Sequence, residues 1–134
     1  METSLPQAPS LRLLYVEDHS DSRNVLANLL RHCGYDVCAA ETAGIALELL
    51  NEQPFDVIIS DIGLPDGSGN GLIMLAKQRH ASIMAIALSG VSSDNEIQFS
   101  REMGFDAYLT KPLDFNELRT LLTNLVNKSP TSPN

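Results

Sequence analysis

The chain is poor in the residues that mark several protein classes. It has two cysteines. Cys33 and Cys38 are expected to be buried apolar thiols, one late on a helix and one on a strand. With only His32 beside them they fall short of a metal-ligand set. Basic residues are few, 9 against 17 acidic, and the net charge of -8 argues against nucleic-acid binding by this chain itself. No apolar run approaches the ~18 residues of a membrane span. Met1-Glu2-Thr3-Ser4 lacks the basic start and apolar core of a signal peptide, so the cytoplasm is the expected location. No internal repeat is visible. What is present suits one soluble globular domain: 134 residues, 43% of them hydrophobic, with a mean hydropathy of -0.04.

Residues 1–10 carry two prolines and no periodicity, and read as a flexible leader; residues 128–134 read as a flexible tail or linker. Between them, over 11–127, strand and helix patterns alternate. Strands are predicted at Arg12–Val16, Asp36–Ala40, Asp56–Ser60, Ile83–Leu88 and Ala107–Leu109. The first, third and fourth are almost wholly apolar, as central strands covered on both faces are, and the second fits an edge. Helical stripes follow at Val25, Leu26, Leu29, Leu30 and Cys33, stopped by Gly34, and at Ala43, Ala46, Leu47 and Leu50, with Thr42 as N-cap. The third is Leu72, Leu75 and Ala76. A fourth helix begins at Ser93 with Glu96 at capping-box spacing and ends at Gly104. The fifth carries Leu118, Leu121, Leu122 and Leu125, capped by Asp114. Alternating units of this kind predict an α/β fold, a parallel sheet with helices on both faces.

In such folds the site lies at the carboxyl ends of the strands. Glu17, Asp18, Asp61, Ser89 and Lys111 all fall at predicted strand ends. Clustered carboxylates repel one another and call for a cation; Mg2+ favours a few carboxylates plus waters and phosphate oxygens. A carboxylate beside it can attack phosphorus and form an acyl phosphate, with Lys111 stabilising phosphoryl charge. Asp61 is the better nucleophile: it stands alone at its strand end, followed by a mobile loop of small residues, Gly63, Pro65, Gly67, Gly69 and Gly71. Adjacent Glu17 and Asp18 suit metal holding. Ser89 can donate to a phosphoryl oxygen, and Gly90 allows close backbone approach. His19, beside the acidic pair, is expected to face solvent, because Mg2+ prefers oxygen. His32 and His80 fall near helix ends and do not look like phospho-accepting histidines. Tyr108 alone reads as a half-buried strand aromatic. Pro112 restricts the backbone beside Lys111, and its bond admits the cis form.

With these residues in order, the chain resembles a response-regulator receiver domain, the phospho-acceptor module of two-component signalling. The resemblance rests on Glu17-Asp18, Asp61 with Pro65 and Gly69 at offsets of four and eight, Ser89-Gly90, Tyr108 and Lys111-Pro112. Each motif alone is weak; the ordered set, over about residues 11–127, is specific. It implies a single (βα)5 flavodoxin-like fold with a doubly wound parallel sheet of order 2-1-3-4-5. It implies that Asp61 accepts a phosphoryl group from a phosphohistidine of a histidine kinase or phosphotransfer protein. Asp18, Asp61 and the Gly63 backbone carbonyl would hold Mg2+, with Glu17 acting directly or through water. Lys111 would pair with the phosphoryl group, while Ser89 and Tyr108 switch in concert. A downstream partner would then read the face of helix 4, strand 5 and helix 5.

Two departures from the family pattern matter. Gly63 replaces the larger side chain that many members carry two residues after the acceptor, so an acyl phosphate should be more open to water, with Val91 restoring some shielding. Ser89 replaces threonine but keeps the hydroxyl. The rival readings are weaker. An Asp-nucleophile phosphatase of the haloacid-dehalogenase type needs an acid-base aspartate at Gly63. A flavin module would want a phosphate cradle where Glu17-Asp18 would repel phosphate. A pseudo-receiver docking without phosphorylation would not need the full residue set. The domain is not itself expected to be an enzyme beyond its own phosphorylation and dephosphorylation. The chain reads as a stand-alone regulator or as the receiver of a longer protein such as a hybrid histidine kinase; the similarity of its Asp61–Gly69 loop to that of receivers fused to sensor kinases favours the second.

Overall fold

Val57-Ile58-Ile59-Ser60 and Leu13-Leu14-Tyr15-Val16 are buried throughout, which a strand achieves only when both faces of its sheet are covered. The computed structural model describes residues 11–90 and 93–127; the expected leader and tail, and Val91, lie outside the described residues. The elements are β1 (Arg12–Val16), α1 (Ser20–His32), β2 (Asp36–Ala40), α2 (Ala43–Glu52), β3 (Val57–Asp61), α3 (Gly69–Arg79), β4 (Met84–Ser89), α4 (Asp94–Met103), β5 (Ala107–Thr110) and α5 (Phe115–Asn127). All five strands are parallel, in the order 2-1-3-4-5 that the resemblance implied. A two-residue antiparallel ladder, Gly63–Leu64 with Gly67–Ser68, lies between β3 and α3 and stays outside this sheet.

Side-chain alternation along the strands builds two cores. Leu13, Tyr15, Val57, Ile59, Ile86 and Leu88 meet Leu26, Ala27 and Leu30 of α1 and Leu118 and Leu122 of α5. Leu14, Val16, Ile58, Ala85 and Ala87 meet Ala46 and Leu50 of α2 and Leu72, Ile73 and Ala76 of α3. Leu118 and Leu122 are fully buried, so truncating either to alanine should cost about 2–5 kcal/mol.

The predicted caps are in place. Thr42 accepts from Ile45 N at 3.1 Å, Ser93 from Glu96 N at 3.3 Å, and Asp114 Oδ1 from Asn116 N at 2.9 Å. Gly34, at φ 98°, takes the left-handed turn that ends α1.

Several expectations need correction. β3 and β4 are each displaced one residue toward the C-terminus, because the ladder first joins Leu13 to Val57 and Val57 to Met84. Asp61 and Ser89 are therefore the last residues of their strands. The α1 stripe is narrower than its apolar content implied. Val25 is 60% exposed and Leu29 42% exposed, since the face turned to the sheet is Leu26, Ala27 and Leu30. Leu75 of α3 is likewise exposed, and Ile73 takes the core position. The cysteines are not buried: Cys33 is exposed as the C-cap of α1, past the last packed turn, and Cys38 on edge strand β2 is only partly covered.

Candidate functional site

The chain turns back at β1, which pairs with β2 on one side and β3 on the other. Helices α1 and α2 therefore depart toward opposite faces, leaving a crevice at the carboxyl ends of β1 and β3. Glu17 and Asp18 leave β1 into this crevice, and Asp61 ends β3. Ligand oxygens of all three lie within 4.8 Å of one another. Lys111, the first residue past β5, enters from the other side, with Nζ 3.0 Å from Asp61 Oδ2 and 3.2 Å from Glu17 Oε1. Its backbone N donates to Ser89 O at 2.8 Å, and the bond to Pro112 is cis.

Glu17 is the buried member, 2% exposed. Its Oε2 accepts from His19 N at 3.1 Å, and its own N donates to Ala40 O at 2.9 Å. Asp18 is exposed and Asp61 intermediate. Burial alone would lower the Lys111 pKa, but hydrogen bonds and charge from Asp61 and then Glu17 outweigh it and hold the ammonium above its ordinary range. Burial, reinforced by the negative charges of Glu17 and Asp61, keeps the Tyr15 phenol protonated far above its usual range. Oxygen-only donors at this spacing fit a hard divalent cation such as Mg2+.

The other sequence-predicted residues fall around this centre. Ser89 is buried at the end of β4, one position beyond the Asp61–Leu88 pair. Tyr108 on β5 is half-buried and packs against the core on the α2–α3 side. Gly63 is exposed, with nothing within 4 Å of where a Cβ would stand. His19 is exposed just before α1, as expected. His32 ends α1, and His80 follows α3 with Nε2 2.9 Å from Leu50 O.

The run after Asp61, expected to be a mobile loop, is fastened at several points. Gly69 N donates to Ile62 O at 2.7 Å, and Ile62 N to Leu88 O at 3.2 Å. Asp66 accepts from Ala43 N at 2.9 Å and Gly44 N at 3.0 Å, joining this loop to the start of α2. Those two amide bonds hold the Asp66 carboxyl below its ordinary pKa. Sequence reasoning missed Asp66, Tyr15 and Arg23. The Asp66-Gly67 turn pair was visible, but its partners more than twenty residues away were not.

The response regulator receiver domain family model matches residues 13–123. The chain belongs to this family, whose members are receiver domains of two-component systems and generally not conventional enzymes. Response regulator protein PilR of Pseudomonas aeruginosa is 37% identical over 112 residues, covering 83% of this chain and 25% of that protein. Two-component response regulator ARR10 of Arabidopsis thaliana is 34% identical over 133 residues, covering 97% of this chain and 24% of that protein. The chain thus spans about a quarter of the length of these curated relatives. A solved CheY-like receiver domain protein from Methanospirillum hungatei superposes with a TM-score of 0.86 at 27% identity, covering 92% of this chain and 99% of that one. Among the described residues no helix is long and apolar enough to cross a membrane.

Proposed function

We propose that this chain is a Mg2+-dependent phospho-acceptor in a cytoplasmic phosphorelay, with Asp61 as the acceptor. The observation that carries this reading is the convergence of Asp61 with Glu17, Asp18 and Lys111 at the switch point of the sheet. An Asp61 oxygen forms the new bond to phosphorus as the bond to the donor's imidazole nitrogen breaks. The nitrogen leaves with the electron pair and takes a proton from solvent. Lys111, already 3.0 Å from Asp61 Oδ2, is placed to meet the negative charge of the arriving phosphoryl group. Asp18, Asp61 and the Gly63 carbonyl, with Glu17 directly or through water, would hold Mg2+, which neutralises phosphoryl charge when bound. Ser89 donates to a phosphoryl oxygen, Tyr108 turns inward with it, and the α4–β5–α5 face changes its partner affinity. The donor is a histidine kinase or phosphotransfer protein, and the chain works either as a stand-alone regulator or as the receiver of a hybrid kinase.

Incubation with acetyl phosphate and Mg2+ followed by intact-mass spectrometry tests this. One phosphoryl group should be gained, and the gain should be lost in Asp61→Asn. No gain by the wild-type chain would replace this reading with docking independent of phosphorylation.

A further inference from the structure

The backbone from Glu17 to His19 aims two of the three carboxylates, and a side chain outside the acidic group holds it. Arg23, in the second turn of α1, sends Nη1 back to the carbonyl oxygens of Glu17 at 2.9 Å and Asp18 at 3.3 Å. Its own N donates to His19 O at 2.9 Å. Arg23 is half-buried, whereas Ser22 and Asn24 beside it are exposed. Both guanidinium contacts go to main-chain carbonyls and not to a carboxylate, so they fix where the chain runs without forming an ion pair with the acidic group.

We infer that Arg23 is a positioning residue for the metal side of the pocket, holding Glu17 and Asp18 so that their carboxylates meet Asp61 before a cation arrives. The inference rests on the receiver reading above. Its physical content lies in two effects of opposite sign. As a nearby positive charge, Arg23 opposes the entry of a cation, so a purely electrostatic role makes Mg2+ bind more tightly once it is removed. As a clamp, it orders the segment in advance. Without it, binding must order that segment and is weakened accordingly. Residues that orient metal ligands typically change affinity by about 10–100-fold when removed.

Calorimetric titration of Mg2+ into the wild type, Arg23→Ala and Arg23→Gln decides between them. The Kd for Mg2+ should rise about 10-fold in Arg23→Ala and less in Arg23→Gln, which keeps one amide donor. The Mg2+ concentration for half-maximal phosphorylation by acetyl phosphate should rise in step, with the plateau rate little changed. Equal or tighter Mg2+ binding by Arg23→Ala overturns the positioning role; if that variant does not fold, the same result with Arg23→Gln overturns it. A wild-type chain that binds no Mg2+ overturns the reading of the pocket and this inference together. Binding by the wild type that is unaffected by Arg23→Ala overturns this inference alone.

Discussion

Two glycines of one helix should respond to alanine with opposite signs. A Cβ on Gly69, the first residue of α3, would stand 2.4 Å from Asp61 O, 2.9 Å from Ile62 Cα and 3.2 Å from Asp61 C. All three are backbone atoms, so no rotamer change relieves the clash, and the carbonyl would have to retreat about 1 Å to reach ordinary contact. That retreat strains the bonds pinning this turn, from Gly69 N to Ile62 O at 2.7 Å and from Ser60 Oγ to Asp61 O at 2.8 Å. Losing two such bonds costs ~1 kcal/mol each, and overpacking adds ~1–3 kcal/mol. The gain in helix propensity and the stiffer unfolded chain offset at most ~1 kcal/mol. Gly69→Ala should therefore lose about 2–4 kcal/mol, a large part of the ~5–15 kcal/mol expected of a domain. Gly71 has nothing within 4 Å of its Cβ position, so Gly71→Ala should gain ~0.5–1 kcal/mol. Urea unfolding followed by far-UV circular dichroism reads both. With a slope of ~2 kcal/mol per molar, the middle of the usual range, the Gly69→Ala midpoint should fall by about 1–2 M while that of Gly71→Ala rises slightly. A Gly69→Ala midpoint at or above wild type refutes the reasoning, as does a fall in Gly71→Ala matching that of Gly69→Ala.

The loop after Asp61 offers two further tests. Asp66 has its folded pKa lowered by the amides of Ala43 and Gly44. Its contribution to stability is therefore present above its ordinary value of 3.8 and is lost as pH falls through the lower folded value. Asp66→Ala should lower the urea midpoint at pH 7, and the gap to wild type should close in strong acid; a gap that persists unchanged through the acid range refutes the tie to α2. At Gly63 the space is open, so Gly63→Met should fold normally and lengthen the life of the aspartyl phosphate. Equal dephosphorylation rates in the two proteins would sink that expectation.

How far the sequence could be read depended on whether the information was local. β1, β3 and β4 were legible because buried parallel strands are near-continuous apolar runs, and the site followed once five polar residues fell at strand ends. The caps at Thr42, Ser93 and Asp114 were legible because each bonds an amide two or three residues on. Val25 and Leu29 were misread because helical periodicity counts apolar residues but does not say how wide a face the sheet covers. Both line a groove of about 470 Å³ running from Glu17 and Lys111 past Leu113 and Phe115. Asp66 and Arg23 could not have been found. Asp66 bonds amides more than twenty residues away, and Arg23 bonds carbonyls five and six residues back across the turn into α1, a spacing that belongs to no common cap.

The charge arrangement links the two halves of the proposed chemistry. Three carboxylates cluster, and Lys111 divides itself between two of them, Glu17 and Asp61. On the proposed reading, a phosphoryl group arriving at Asp61 draws Lys111 toward its own oxygens. Glu17 would then lose part of its cation, and at 2% exposed it has little access to bulk water for compensation. A buried carboxylate stripped of its partner costs several kcal/mol, so phosphorylation without a second cation beside Glu17 and Asp18 would be opposed by the protein itself. On that reading metal binding and phosphoryl acceptance would be coupled through Glu17, the carboxylate that need not touch phosphorus at all.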